Sequence, residues 1–528
     1  MISGIPLLNW RIWPAPPPDH NGPVTVDFDP PGIEVTKQPI FESLSPVIRR
    51  QADAVALRDQ LSQLTYAALD AKVTRLTARL SAKVARGAAV AILLESGVNC
   101  IVAQLACIKA GLTCLVPNLK NPPERLALIL ENSGATAAIA ENRAVAHTLG
   151  LPFISIHDDA PEVDVPASLG IDEPAFVFYT SGSTGRPKGV ARSQRQVLTR
   201  ARGKILQLHI NRNDRILSLF NCAFTPGLMS WHITLLAGAE LTLLDLATVG
   251  ARSVLQQVQG AGITVLMATP SVLRMLLQLA QPEMLATVRA LFTTGEPLSQ
   301  ADIVEWRRVL PEHCAIAGGY AMTEVSPIGE WFVPPVLPST GRRLPAGYAD
   351  PMHEYALADP NGGPAADGEP GVLWLRGEFI ALGEWLDGQC VSGRLLPDPD
   401  NKLRMVFYTG DVVRLRPDGL LEVLGRADSQ VKIRGNRVDP TEVEEVVRGV
   451  EGVTAAAVIP VETSGEIKLF AYVVATGQSD ETELRITLQT RLNEALPAPM
   501  HPARTVFLSE MPYLPSGKVD RRALTAIQ

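Results

Sequence analysis

Residues 179–189 read Tyr179-Thr180-Ser181-Gly182-Ser183-Thr184-Gly185-Arg186-Pro187-Lys188-Gly189, and no other stretch constrains this chain as strongly. Four apolar or aromatic residues at 175–178 precede it and predict a short buried strand that ends in a turn. In that turn, glycines let backbone N–H groups approach a ligand, hydroxyl groups donate hydrogen bonds, and Lys188 adds a positive charge. The stretch therefore predicts a loop that binds polyphosphate.

Two other interpretations of this loop agree less well with the residues. A P-loop NTPase requires Gly-x-x-x-x-Gly-Lys-Ser/Thr, whereas Gly185 is followed here by Arg186-Pro187-Lys188-Gly189. A flexible Ser/Gly linker rarely lies directly after an apolar strand and rarely ends in Pro-Lys-Gly. The residues therefore favour a phosphate-binding loop of another kind over both of these interpretations.

The composition bounds the classes of protein that remain. A chain of 528 residues is too long for one compact core, so we expect two or more domains, and 46% hydrophobic residues suffice for large buried sheets. The net charge of −7 argues against a nucleic-acid partner. No apolar run is long enough to span a bilayer and no secretory signal is evident, so no membrane partner is expected. Six cysteines without C-x-x-C spacing favour free thiols in the cytoplasm.

Apolar segments alternate with amphipathic helical segments through most of the first 300 residues. This alternation predicts an α/β fold class, with a large N-terminal domain of largely parallel sheets layered with helices. The predicted strands span 90–94, 113–116, 135–140, 152–156, 175–179, 214–220, 240–245, 263–269 and 289–294.

The pattern changes in the last third of the chain. From about 340 to 425, short β-rich runs between Pro, Gly and Asp turns predict a small β subdomain of the N-terminal domain, residues 1–427. Residues 428–528 predict a small α+β domain, in which Asp439-Pro440-Thr441-Glu442 has the form of a capping box at a helix start. Proline-rich residues 1–40 are interpreted as an irregular arm on the first domain.

Further motifs follow the loop in a fixed order. They are Gly295-Glu296-Pro297, Tyr320-Ala321-Met322-Thr323-Glu324, Tyr408-Thr409-Gly410-Asp411, Gly425-Arg426-Ala427-Asp428 and Leu514-Pro515-Ser516-Gly517-Lys518-Val519-Asp520-Arg521. With the loop, they resemble the motifs of the adenylate-forming superfamily, which contains acyl-CoA synthetases, nonribosomal peptide synthetase adenylation domains and luciferases. The C-terminal motif and residues 435–444 are most similar to the nonribosomal peptide synthetase adenylation domains.

The resemblance implies ATP and Mg²⁺ as cofactors, with Glu324 as the metal ligand and Asp428 at the hinge of a mobile C-terminal domain. It implies that Thr180, Lys188, Thr323, Glu324 and Lys518 are catalytic, and that Lys518 stabilises the transition state. The implied ATP- and AMP-binding residues are Thr180, Ser181, Gly182, Ser183, Thr184, Gly185, Lys188, Gly295, Glu296, Pro297, Gly319, Tyr320, Ala321, Met322, Thr323, Asp411, Arg426 and Lys518.

The same resemblance implies a pocket for the acid that is mostly apolar and holds no charge, which favours a hydrophobic acid. Thr225 lies where amino-acid-activating domains place an aspartate that binds the α-ammonium. Because a buried ammonium without a partner is costly, we expect a substrate without an α-amine. The alternative is a shifted amine read by another group, as in a β-amino acid. The implied pocket residues are Phe224, Thr225, Pro226, Met229, Met267, Phe292, Thr294, Gly319, Pro327 and Ile328.

Other departures from the family pattern concern the nucleotide and the pocket. Gly318 occupies the position of a common asparagine that meets adenine, and Ala321-Met322 replaces a common Gly-Pro. Gln194 replaces a common histidine after the phosphate loop, a change expected to rearrange an aromatic residue near the acid.

These features lead to one expected function and several alternatives. We expect a carboxylic acid to be activated as acyl-AMP with release of pyrophosphate and then transferred to the phosphopantetheine thiol of a separate carrier protein. The alternatives are a synthetase that uses free CoA, an enzyme that adenylates amino acids, and a catalytically silent nucleotide-binding partner.

Overall fold

The chain divides into two compact units. The first contains residues 1–117, 132–179 and 189–425, and the second contains 118–131, 180–188 and 426–528. Two short internal segments, 118–131 and 180–188, thus group with the C-terminal residues. The domain boundary between residues 427 and 428 stays a prediction. The computed structural model describes residues 6, 8–16, 28–143, 150–157, 169–180, 187–335, 337, 344–427, 430–463, 466–476, 480–512 and 519–527.

The larger sheet of the first unit has a parallel centre of six strands. Four of them correspond to apolar segments predicted as strands, whereas Val55–Arg58 and Ala315–Tyr320 were not predicted. Strands on both sides of each central strand run in the same direction, as in Val265–Ala268 between Arg215–Ser218 and Ala290–Thr294. Their residues are almost wholly buried, as expected for strands covered on both faces. In spatial order the parallel strands are Val55–Arg58, Glu240–Leu243, Arg215–Ser218, Val265–Ala268, Ala290–Thr294 and Ala315–Tyr320.

The β-rich region predicted near 340–425 is continuous with this parallel sheet. Strand Gly329–Phe332 pairs antiparallel with Ala315–Tyr320, and Gly347–Ala349 pairs antiparallel with Gly329–Phe332. Side chains on these strands alternate between buried and partly exposed, which is typical of a sheet with one covered face. The remaining strands are Gln63–Thr65, Glu354–Ala358, Gly371–Gly377, Leu395–Pro397, Met405–Leu415 and Leu420–Arg426.

The second sheet carries the strand that precedes the phosphate-loop sequence. Pro174–Thr180 lies beside Thr113–Leu115 on one side and Lys188–Ser193 on the other. In spatial order this sheet contains Gln389–Val391, Gly383–Leu386, Lys188–Ser193, Pro174–Thr180, Thr113–Leu115, Ala89–Leu93, Ala135–Ala140 and Phe153–Ser155.

One hydrophobic core of the first unit draws side chains from both sheets and from the helices around them. It includes Phe176 of the second sheet, Trp231 on a covering helix, and Phe292 of the first sheet. Burial of such large apolar side chains supplies the main favourable term in folding. The helices of this unit are Ile40–Arg50, Tyr66–Lys83, Val98–Lys109, Gln194–Leu208, Thr225–Ala237, Leu246–Val249, Ala251–Ala261, Pro270–Leu277 and Gln300–Arg307, with 3₁₀ turns at Ile33–Thr36 and Pro282–Leu285.

The N-terminal arm closes one edge of the larger sheet. Arg11–Ile12 forms a short antiparallel strand against Glu354–Ala358. Beside it, Trp13 is buried and stacks on Tyr355 with ring centroids 3.7 Å apart. A covered edge offers fewer unpaired backbone groups to other chains, which gives the arm a structural role.

The second unit contains a hairpin, Val431–Ile433 with Asn436–Val438, and a three-stranded sheet of Val453–Thr463, Glu466–Ala475 and Arg504–Leu508. Its helices are Pro123–Glu131, Pro440–Arg448, Glu481–Ala495 and Arg521–Thr525, with a 3₁₀ turn at Ala498–Met500.

One helix of the second unit starts where the sequence predicts, but with a different cap. Asp439 accepts a hydrogen bond from the N–H of Thr441 at 3.0 Å, and the carboxylate of Glu442 pairs with the buried Arg125. The capping-box prediction is wrong in this detail, because a partner more than 300 residues away engages the side chain that would complete the box. The mixed α/β fold class is confirmed. Within the described ranges, no helix has the length and apolar character needed to cross a membrane.

Candidate active site

Neighbouring parallel strands place several of the predicted site residues at one edge of the larger sheet. Thr294 and Gly319 are register partners near the ends of Ala290–Thr294 and Ala315–Tyr320, and the Thr294 hydroxyl donates to the Gly319 carbonyl at 2.9 Å. Ligands of α/β folds bind outside the carboxyl ends of such strands. The motif at 320–324 begins at this edge.

Tyr320 and Asp411 meet although they are distant in sequence. The Tyr320 hydroxyl donates a hydrogen bond to Oδ2 of Asp411, and both side chains are buried. Asp411 belongs to the strand Met405–Leu415, in which Gly410 adopts φ +75°, a conformation that favours glycine. The pair joins the motif assigned to adenine with the motif assigned to ribose.

Replacing Asp411 with asparagine is expected to raise the Kd for AMP about 10–100-fold, because hydrogen bonds to a charged group contribute about 1.5–3 kcal/mol. Calorimetric titration of AMP measures the change. The exposed Asp400 provides the matched control, Asp400→Asn, which should bind AMP as the unaltered chain does. Equal affinity of both variants would mean that Asp411 does not contact the sugar.

Thr323 and Glu324 lie beside a buried arginine that the sequence analysis missed. Nε and Nη2 of Arg192 donate to the Thr323 carbonyl at 2.9 and 2.7 Å, and the arginine is only 1% exposed. Burial, together with the nearby charge of Arg200, lowers the pKa of the Arg192 guanidinium to about 9, and the charge of Glu324 opposes this shift. Arg192 is therefore charged at neutral pH and holds the backbone that carries Glu324. Its position directly after Val190 and Ala191 in the strand Lys188–Ser193 is the one signal in the sequence.

Replacing Arg192 with lysine is expected to lower the rate of adenylation about 10–100-fold, the range typical of side chains that orient a ligand-bearing residue. Lysine keeps the charge but lacks the planar fork that donates twice to one carbonyl. Pyrophosphate release and the melting temperature are measured together. The control is Arg195→Lys, at the start of the following helix, where the side chain is partly exposed. A variant that melts earlier but turns over normally would show a purely structural arginine.

The turn Gly295-Glu296-Pro297 directly follows the strand Ala290–Thr294. Gly295 adopts φ +98°, which requires glycine. The carboxylate of Glu296 accepts from Ser271, from its N–H at 3.0 Å and its hydroxyl at 2.7 Å, at the start of helix Pro270–Leu277. Burial raises the pKa of Glu296, and these hydrogen bonds oppose the shift. The Glu296 side chain thus holds the turn, and a contact with adenine would come from its backbone.

The departures at Gly318 and Gln194 have local explanations. A Cβ at Gly318 would lie 3.0 Å from Leu298 and 3.5 Å from Trp331, so those side chains fill the space of the usual asparagine. Gln194 is fully buried, accepts from the N–H of Ile40 at 2.9 Å, and donates to the Leu169 carbonyl at 3.1 Å. Both positions therefore serve packing in this chain.

The residues of the predicted acid pocket lie on the parallel strands, at the start of one helix and just before an antiparallel strand. Met267 and Phe292 are cross-strand partners, and a Cβ at Gly319 would lie 3.4 Å from the Phe292 ring. Ile328 lies just before the strand Gly329–Phe332 and is buried. Phe224, Thr225, Pro226 and Met229 lie at the start of helix Thr225–Ala237, and Pro327 precedes Ile328.

Thr225 is the first residue of its helix and is 5% exposed. Among the residues that the structure describes, its hydroxyl has no hydrogen-bond partner. A buried hydroxyl without a partner is costly, so a bound ligand that pairs with it would gain affinity. Threonine here offers no negative charge to a substrate ammonium.

A buried ion pair that the sequence analysis also missed lies beside two of the predicted pocket positions. The Lys204 ammonium pairs with Glu330 and lies 4.1 Å from the centre of the Phe292 ring. Gly319 and Glu330 are cross-strand partners, and a Cβ at Gly319 would lie 3.5 Å from Oε1 of Glu330. None of the ten predicted pocket residues is charged, as the sequence analysis states. That prediction nevertheless omits the charged pair of Lys204 and Glu330 beside them.

The remaining predicted residues are in the second unit or outside the described residues. The Thr180 hydroxyl donates to the Lys188 carbonyl at 3.5 Å, and Arg426 donates to Gln430 at 3.3 Å. Ser181, Gly182, Ser183, Thr184, Gly185, Asp428 and Lys518 lie outside the described residues. Their roles stay predictions.

The carboxylate of Glu324 fits an Mg²⁺ ion shared with a nucleotide. Glu324 is 5% exposed, and carboxylate oxygens are ligands that Mg²⁺ prefers. Mg²⁺ is usually held by one or two carboxylates together with substrate phosphates rather than by a cage of protein ligands. Accordingly, the described part of the chain contains no group of three or more His, Cys, Asp or Glu that could hold a metal alone.

Family models match most of the chain. Residues 45–385 match the model of the AMP-binding enzyme, and residues 442–518 match the model of the AMP-binding enzyme C-terminal domain. The chain belongs to the family of AMP-binding enzymes, the adenylate-forming ligases.

Individual relatives and solved structures agree with this family. One of the plipastatin synthase proteins of Bacillus subtilis is 32% identical over 507 residues, which are 93% of this chain but only 20% of that protein. The structure resembles o-succinylbenzoate CoA synthetase from Bacillus subtilis with a TM-score of 0.78, at 23% identity and over 92% of this chain and 98% of the other. It also resembles an artificially fused adenylation-PCP di-domain NRPS from Klebsiella oxytoca with a TM-score of 0.76, at 23% identity and over 89% and 93% of the two chains. The chain thus spans about one fifth of the length of its synthase relative.

Proposed function

We propose that this chain activates a carboxylic acid with ATP, forms acyl-AMP with release of pyrophosphate, and passes the acyl group to the phosphopantetheine thiol of a carrier protein. The observation that carries the proposal is the assembly at the edge of the larger sheet. There, Tyr320 bonds Asp411, and Arg192 holds the segment of Thr323 and Glu324. Membership of the AMP-binding enzymes supports this assignment.

The chain's own groups divide the work of the first step. Tyr320 and Asp411 hold the nucleoside, while the loop from Thr180 to Lys188 donates hydrogen bonds and charge to the phosphates. Glu324 would hold Mg²⁺, which neutralises charge on the phosphates when bound. Lys518 would stabilise the charge that develops as the carboxylate attacks and pyrophosphate leaves. Holding two anions in one orientation supplies much of the rate enhancement.

The acid is proposed to lack an α-amine. An aspartate at position 225 could pair with an ammonium, whereas the Thr225 hydroxyl is neutral and its buried position would leave an ammonium uncompensated. The apolar side chains of Met267, Phe292 and Ile328 favour a hydrophobic acid. The competing proposal, an amine placed away from carbon α, requires an acidic group elsewhere in the pocket.

A carrier-protein thiol is proposed as the acceptor because one of the solved structures that this chain resembles is a fusion of an adenylation domain with a PCP domain. Free CoA is the outcome to test against it. Incubating the enzyme with ATP, an accepted acid and either CoA or a phosphopantetheine-loaded carrier protein, and identifying the thioester by mass spectrometry, separates the two. Acyl-CoA without acylated carrier would overturn the choice of acceptor.

Pyrophosphate release over a broad panel of amino and non-amino acids tests the first step. We expect turnover with a hydrophobic acid and little with α-amino acids. Strong preference for an ordinary α-amino acid would overturn the interpretation of Thr225. If none of the acids supports pyrophosphate release and the chain still binds AMP, a catalytically silent nucleotide-binding partner would be favoured.

A further inference from the structure

The ion pair of Lys204 and Glu330 lies beside two of the positions predicted to line the acid pocket. Lys204 extends from helix Gln194–Leu208 and Glu330 from the strand Gly329–Phe332, so the pair joins two elements that flank the pocket. It contacts two of the predicted pocket positions, the ring of Phe292 and the space at Gly319. Because Gly319 has no side chain, nothing at that position separates the Glu330 carboxylate from the pocket.

The pair is largely buried. The side chain of Lys204 is 6% exposed and that of Glu330 is 18% exposed. Lys204 also donates to Oε1 of Gln207 at 2.5 Å. An ion pair next to a mostly apolar set of pocket positions offers an acceptor and a donor side by side.

Charges around the pair are balanced. Arg200 pairs with Asp350 nearby, and both groups act electrostatically on Glu330. His353, which contacts Arg200, has its pKa lowered well below the usual value by burial and by Arg200 and Arg192, so it adds no charge at neutral pH. The charges of Lys204 and Arg200 cancel those of Glu330 and Asp350. A substrate with a net charge at this place would therefore leave one charge uncompensated.

We propose that Lys204 and Glu330 determine specificity by binding a hydroxyl group on the side chain of the acid. A hydroxyl donates one hydrogen bond to the Glu330 carboxylate and accepts one from the Lys204 ammonium. An uncharged group that both donates and accepts therefore suits an ion pair whose net charge is zero. The substrate class is therefore a hydrophobic acid, aryl or alkyl, that carries a neutral hydroxyl. This inference rests on the proposed function and names the acid that the proposed function leaves open.

Matched acids that differ only in the hydroxyl test the proposal with the unaltered enzyme. The panel includes 3- and 4-hydroxycinnamic acid against cinnamic acid, the hydroxyphenylacetic acids against phenylacetic acid, and ω-hydroxy against plain alkanoic acids. In at least one series, kcat/KM for pyrophosphate release is expected to be about 100-fold higher with the hydroxyl, because a site built for a hydroxyl strongly rejects the analogue without it. Equal or higher activity of the plain acids throughout would overturn the inference.

The double variant Lys204→Met/Glu330→Leu assigns the preference to the pair. Replacing both partners with apolar groups avoids the buried single charge that either single substitution would leave. We expect the preference for the hydroxy acid to fall about 100-fold while the plain acid is still activated. An unchanged preference would overturn the inference, as would an equal loss with both acids, which would mean that the pair serves only folding.

The matched control is Arg58→Met/Glu240→Leu. This pair joins two neighbouring strands, Nε of Arg58 lies 2.9 Å from Oε1 of Glu240, and the glutamate is similarly exposed, at 17%. It is expected to keep the preference of the unaltered enzyme. The absence of pyrophosphate release with both members of every pair would instead overturn the proposed function itself, which distinguishes the two failures.

Discussion

Replacing Lys518 with alanine is expected to lower the rate of pyrophosphate release about 10²–10³-fold, the usual effect of removing one donor from a developing negative charge. The transfer of acyl groups from preformed acyl-AMP to the thiol should change little, because that step breaks the bond between the acyl carbon and AMP and leaves every bond to phosphorus intact. Measuring the two half-reactions separately tests both statements. The lysine belongs to the motif 514–521, which the resemblance assigns to the first half-reaction.

The control for this variant is Lys468→Ala. Lys468 belongs to the strand Glu466–Ala475, and its half-exposed ammonium lies 4.0 Å from the Glu466 carboxylate, a surface pair that contributes little to stability. We expect both half-reactions of this variant to match those of the unaltered enzyme. If Lys518→Ala slowed both half-reactions equally, its assigned role would be wrong.

Replacing Glu324 with glutamine is expected to lower adenylation by a similar factor, about 10²–10³-fold. The substitution preserves shape and removes only the negative charge of a buried side chain beside Arg192. A neutral amide is a weaker Mg²⁺ ligand, so the Mg²⁺ concentration that gives half the maximal rate should rise. Titrating MgCl₂ against the rate of pyrophosphate release measures this shift.

Glu305→Gln is the matched substitution for Glu324→Gln. Glu305 lies on helix Gln300–Arg307, and its exposed carboxylate pairs with Arg308. Its rate and its Mg²⁺ requirement should stay unchanged. A Glu324→Gln enzyme with a lower rate but an unaltered Mg²⁺ requirement would show that the carboxylate positions other groups and does not bind the metal.

Local patterns in the sequence predicted most of the regular structure. The predicted strands at 135–140 and 289–294 correspond to Ala135–Ala140 and Ala290–Thr294, because short apolar runs of this length favour buried strands over helices. The helix start at Asp439 was predicted for the same kind of local reason, a carboxylate able to accept from the first turn. The role of Glu442 was mispredicted, since Arg125 competes for it from a distant part of the chain.

The candidate site could be predicted only where its residues form continuous motifs. Tyr320, Glu324 and Asp411 belong to such motifs, and the structure shows that Tyr320 and Asp411 meet. Arg192, Lys204 and Glu330 belong to none. A charged residue in a sequence is normally interpreted as solvent-exposed, because burial of an unpaired charge is costly.

By itself, then, the sequence determined the α/β class, many of the strands and the order of the motifs, because each depends on neighbours a few residues apart. The tertiary structure alone decided which charges are buried and paired: Arg192 with the Thr323 carbonyl, and Lys204 with Glu330, are each joined across more than 120 residues. The physical reason is that a buried charge is stable only when a partner reaches it. That partner is set by how strands and helices pack, which no local pattern records.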